Sequence, residues 1–183
     1  MQIRENLPEQ YRQFCASPLN TNEAIDKDLF NLLHNEGVAE VRLYQPDILM
    51  VGTKPIVIAH EDSEYYIGDF IIFLVRRRTH KIWETSFCFS NPTGSILIKG
   101  KDDESYFVMH PHIVEDEKHP DIKMPVGWLC ISHGQIPIYQ ALREGRINDA
   151  VSRLLAALQS YEKRSPYQKI EYWPLQQRET EHA

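Results

Sequence analysis

Between Tyr106 and Gly134 the chain reads YFVMHPHIVEDEKHPDIKMPVGWLCISHG, a stretch that gathers four of its eight histidines and one of its three cysteines. These residue types suit two chemistries. A cysteine reacts as its thiolate, and a nearby imidazole favours that form. Cys130 is thus a candidate nucleophile, with His133 three residues on, or His110 and His112 brought across by the fold, as its helpers. A metal is the other possibility. His110 and His112 lie two apart, and residues so spaced on an extended strand share a face. With Cys130 and either His119 or His133 they would make a tetrahedral zinc set. The spacings match none of the closed zinc motifs, however, and no second cysteine pair exists. A buried structural cysteine is the plainest reading, which Trp128, Leu129 and Ile131 around Cys130 would favour. Local composition does not choose among the three.

The other two cysteines read as inert. Cys15 has no basic or histidine neighbour in sequence to lower its pKa. Cys88 alternates with Phe87 and Phe89 inside an apolar run, as a small sheet residue does. Three widely spaced cysteines make no disulfide framework, which points to a reducing cytoplasm. A formal charge of −6 argues against a phosphate-backbone binder, so no nucleic-acid partner is expected. The one basic run, Arg76-Arg77-Arg78, reads as the cap of a strand end. No basic-then-apolar leader and no stretch of membrane-span length is present, so no membrane partner is expected either. At 183 residues and 42% hydrophobic content the chain fits one domain with one core.

The elements that must position the stretch follow from periodicity. Residues 1–19, with two prolines and little periodicity, read as an N-terminal arm or short helix. Asn20-Thr21-Asn22-Glu23 offers a capping box. Ile25, Leu29, Leu32 and Leu33 then share a helical face that Gly37 closes. From Val38 to about Ile113, short β-branched and aromatic runs separated by turn residues predict an antiparallel meander of four to six strands. Asn91-Pro92-Thr93-Gly94 is one of the turns. Pro137 opens a short helix carrying Ile138, Ala141 and Leu142, which Gly145 breaks. Ile147, Val151, Leu154, Leu155, Leu158 and Tyr161 predict a strongly amphipathic helix that Ser165-Pro166 stops. YQKIEYWPL packs back as a last element, and 174–183 is a polar tail. The class is α+β, with the domain over 20–173.

That order, together with three motifs, resembles the ubiquitin-conjugating-enzyme fold family, in particular its divergent bacterial and phage members. Tyr66–Val75 looks like the family's Tyr-x-Gly-Gly-x-Phe strand entry. Tyr106–Ile113 looks like its strand ending in His-Pro-Asn-Ile. Gly127-Trp128-Leu129-Cys130-Ile131 looks like its Gly-x-Ile-Cys-Leu nucleophile segment. The resemblance implies a conjugating enzyme of a prokaryotic ubiquitin-like pathway, a transferase without cofactor or metal. Cys130 would accept a ubiquitin-like protein's C-terminal acyl group from an activating enzyme as a thioester and pass it to a protein or small-amine acceptor. His112 stands where the family has asparagine and would donate to the oxyanion. His110 and Pro111 would shape the loop, and His133 would tune Cys130. A catalytically silent fold member acting as a protein-binding module is the alternative, and a zinc-dependent domain a more distant one. The longer insertion Val114–Val126 reads as a lid or partner-binding loop. Its charges, among them Glu115, Asp116, Glu117, Lys118, Asp121 and Lys123, predict surface rather than core.

Overall fold

A computed structural model describes residues 7–17, 19–79, 82–99, 105–116, 119–129, 135–164 and 166–176. Two helices come first, α1 (Leu7–Cys15) and α2 (Asn22–Leu33). Ten strands follow: β1 (Val38–Gln45), β2 (Ile48–Thr53), β3 (Ile56–His60), β4 (Ser63–Gly68), β5 (Ile71–Thr79), β6 (Ile82–Ser90), β7 (Ile96–Lys99), β8 (Ser105–His110), β9 (Ile113–Asp116) and β10 (Val126–Leu129). The helices α3 (Gln135–Arg143) and α4 (Ile147–Leu158) and a 3-10 turn at Ile170–Tyr172 complete the described chain. The expected α+β class holds. No helix among the described residues is long and apolar enough to cross a membrane.

Eight strands form one antiparallel sheet in the order β1-β2-β5-β6-β10-β9-β8-β7, and β3-β4 is a separate hairpin. The central strands are apolar on both faces, so period-two alternation sorts their residues between two cores. Leu49, Val51, Ile72, Leu74, Phe87 and Phe89 join the main core, to which all four helices contribute. Ile48, Met50, Phe73, Val75 and Cys88 face the other way into a smaller cluster with Ile122 and Val126. Cys88 is thus the buried sheet residue that its alternation predicts.

Several boundaries differ from the expectations, each for a local reason. The segment read as an arm or short helix is a helix whose Leu7, Tyr11, Phe14 and Cys15 are core residues. Thr21, not Asn20, caps α2, its Oγ1 accepting from the Ala24 N–H at 3.2 Å. The helix ends at His34 rather than at Gly37, and Leu33 falls off the buried face, 47% exposed. Arg76, Arg77 and Arg78 lie inside β5, paired with Thr85, Glu84 and Trp83, rather than at a strand end. The meander span holds eight strands rather than four to six, because β3-β4 and β7-β8 are added hairpins. Helix α4 stops at Leu158, leaving Tyr161 beyond it.

The insertion is the largest difference. Ile113–Asp116 is a strand, and β9 and β10 sit between β6 and β8 in the main sheet. Ile122, in the connection between them, is buried against Phe73 and Val126. The described charges Asp121 and Lys123 are exposed as expected, while the apolar residues at 122, 124 and 126 alternate with them and turn inward.

Two polar devices fix the helices. No side chain of its own caps α4. Asp28 of α2 does so instead, accepting from the Ile147 and Asn148 N–H groups at 3.1 and 3.2 Å. Tyr11 of α1 donates to the same carboxylate. One partly buried acceptor therefore joins three helices. Arg76 crosses from β5 to the last turn of α1 and donates to the carbonyls of Gln13, Phe14 and Ala16. A cation at a helix C-terminus meets the negative end of its dipole.

Candidate functional site

His110 ends β8, Pro111 and His112 form the turn, and Ile113 begins β9. Proline suits such a place, because it fixes φ and has no N–H to leave unpaired. His110, Pro111 and His112 are all buried. His110 is fully so, and its Nε2–H donates to the Leu158 carbonyl at 2.8 Å. Its Nδ1 accepts the His112 backbone N–H at 3.1 Å. These two bonds define one neutral tautomer. Burial above all, with His112 adding, pushes its pKa down to about 3 against the pull of the Leu158 carbonyl. Both ring nitrogens being occupied, His110 has none left for a metal ion shared with His112.

His112 is 7% exposed, and its Nε2 accepts the Glu162 backbone N–H at 2.9 Å. The Pro111 carbonyl accepts from the Tyr167 N–H at 2.7 Å. The end of α4 and the chain beyond it therefore grip the turn at residues 158, 162 and 167. Rings extend the contact: Phe70 edge-on to His110, then His112, Tyr161 and His60, with successive centroids 4.7–6.0 Å apart. The structure brings His110, Pro111 and His112 together as a buried clamp.

Cys130 and His133 lie outside the described residues. Leu129, to which Cys130 is joined, pairs across the sheet with Ile113, to which His112 is joined. Exposed apolar side chains flank the 130–134 segment on both sides. Trp128 is 41% exposed before it, and Ile136 and Tyr139 are exposed after it, Tyr139 lying tilted against Phe87 at 5.3 Å. Partial burial raises the Tyr139 pKa.

No protein-family model, curated protein or solved structure matches this chain.

The remaining candidates separate from the turn. His119 packs beside Arg77, whose guanidinium lies 3.0 Å from its Nε2, and partial burial and that charge lower its pKa. Burial pushes the thiols of Cys15 and Cys88 up to about 12, so neither is a thiolate at neutral pH. The sequence reading of Asn91 as a plain turn residue missed its role. It is buried, and its Nδ2 donates to the Ile67 and Met109 carbonyls, both at 2.8 Å, tying β4 to the residue before His110. Its Oδ1 accepts the Gly94 N–H. A Cβ on Gly94 would lie 1.7 Å from the Ile67 carbonyl oxygen, so the turn closes only with glycine there. An asparagine between a strand and Pro-Thr-Gly was the available signal.

Proposed function

We propose that the chain is a ubiquitin-conjugating-enzyme-like acyl carrier in which Cys130 holds a ubiquitin-like protein's C-terminal acyl group as a thioester. The thiolate attacks the activating enzyme's thioester carbonyl and displaces that enzyme's thiolate. An acceptor amine then attacks the new thioester, expelling the Cys130 thiolate and losing a proton. The observation that carries the reading is the Leu129–Ile113 pair, because it sets the residues next to Cys130 and His112 in one hairpin. Trp128, Ile136 and Tyr139 supply exposed apolar surface on either side, as a carrier meeting two protein partners needs. A carrier thiol has to stay reduced, so the reading includes a cytoplasmic location. Incubating the purified chain with a candidate activating enzyme, ATP and its ubiquitin-like protein tests it. A band shift on a non-reducing gel that thiol treatment reverses and Cys130→Ala abolishes is expected. No shift with Cys130 intact, with an activating enzyme that charges itself, counts against it.

A second reading, a silent binding module of the same fold, draws on a specific observation. Both histidines of the turn hold structure, and the Nε2 of His112 is an acceptor, not a donor. Binding of the ubiquitin-like protein by the Cys130→Ala chain, with no loading of the native one, favours this module.

A further inference from the structure

The end of α1, the β5–β6 hairpin and the α3–α4 corner enclose a cavity of about 380 Å³. Gly145 lets that corner close. Its φ is +70°, and a Cβ there would strike the Asn20 side chain 2.0 Å away. Phe14, Leu142 and Ile147 give the cavity apolar walls, while Trp83, Arg76 and Arg143 supply its polar and aromatic side. The Arg76 guanidinium stacks on the Trp83 ring at 4.3 Å from its centroid, yet Trp83 stays 44% exposed. A cation fixing an indole in an otherwise open position preorganises a flat apolar surface.

The charge is the unusual part. The chain carries a formal −6, yet two guanidinium groups line this cavity. Among the described residues neither forms an ion pair with a carboxylate, Asp47 acting on Arg76 only at a distance. Arg76 is buried, and the hydrogen bonds of its NH1 and NH2 go to main-chain carbonyls. Its charge therefore reaches the cavity as a field through low-dielectric walls. Arg143 is exposed and free to contact a ligand directly. Size, apolar walls and a few convergent polar groups are the usual attributes of a small-molecule site.

We propose that this cavity binds a small amphipathic anion, an aryl or aliphatic carboxylate whose apolar body lies on Trp83 and Leu142 and whose charge faces Arg143. The site is independent of Cys130 and of the carrier reading. Titration of the full chain with 8-anilinonaphthalene-1-sulfonate, followed by fluorescence, tests it. The neutral N-phenyl-1-naphthylamine is run in parallel. Saturable one-to-one binding of the anion, tighter than that of the neutral probe, is expected. Arg143→Glu should weaken the anion by about tenfold or more, because it removes a charge-assisted contact and adds a repulsive one. Trp83→Ser should weaken both probes, whereas Trp128→Ser, on the exposed sheet face, should change neither. Circular dichroism confirms that each variant is folded. Equal binding of the two probes, indifference to Arg143→Glu, loss of signal in Trp128→Ser, or the absence of saturable binding would each overturn the proposal.

Discussion

Replacing His110 by glutamine tests the clamp on two axes at once. The amide can keep the donor to the Leu158 carbonyl, but it offers no acceptor at the position of Nδ1. The buried His112 N–H then loses its partner, which costs about 1–3 kcal/mol at pH 7.5. The second axis is pH. Folded His110 stays neutral down to about pH 3, while the unfolded residue titrates near its ordinary 6.5. Between those values the unfolded chain binds one more proton than the folded one. Native stability from this site is therefore complete above pH 6.5 and falls as pH falls, by about 1.4 kcal/mol per unit. Glutamine does not titrate, so the variant lacks that slope. The stability gap between the two proteins should narrow by roughly 2–3 kcal/mol from pH 6.5 to 4.5. Comparing the pair at each pH cancels every other titrating group. Urea unfolding at pH 7.5, 6.5, 5.5 and 4.5 measures it. A gap that stays constant with pH would refute the buried neutral imidazole, and no loss at pH 7.5 would refute the clamp.

Asp28→Ala should cost about 2–4 kcal/mol in thermal or urea unfolding, because it uncaps α4 and leaves the buried Tyr11 hydroxyl without its acceptor. Asp28→Asn, which keeps an oxygen acceptor, should cost less. Ile122→Ala should destabilise by about 2–4 kcal/mol, the usual loss for a buried isoleucine, and a neutral result would return the insertion to the surface role its charges suggest. In the folded protein Cys15 and Cys88 should react with a disulfide reagent far more slowly than after unfolding, since both thiols are buried and protonated.

The parts of the fold legible in the sequence are those where a local pattern is also the global one. The apolar positions of α3 and α4 and the alternation around Cys88 are of this kind. What stayed hidden depends on partners far apart in the chain. Asp28 caps a helix that begins 119 residues later, and Arg76 caps one that ends some 60 residues earlier. No window of sequence shows either acceptor or donor its mate. The insertion differs for another reason. Counting charges between 114 and 123 placed Asp121 and Lys123 at the surface, where they lie, but overlooked Ile122 between them, which packs with Phe73 and Val126. In the site, the strand end at His110 was readable from His-Pro, whereas the direction of each hydrogen bond was not.

That direction changes what His112 can contribute to transfer chemistry. From the sequence, an imidazole in the asparagine position looks like a donor that grows stronger as it gains a proton. In the structure its Nε2 already accepts the Glu162 N–H. Protonating that nitrogen would set one N–H against another and release the segment after α4 from the turn. While the clamp persists, Nε2 is an acceptor and has no proton to give to an oxyanion. Acid would work against a carrier of this design by removing the Cys130 thiolate before loading and by protonating the acceptor amine before discharge. Discharge of a loaded Cys130 to free lysine should not speed up between pH 7 and 6. A rise over that interval would mean that His112 leaves Glu162 and acts as the cation, with the turn held by His110 and Pro111 alone.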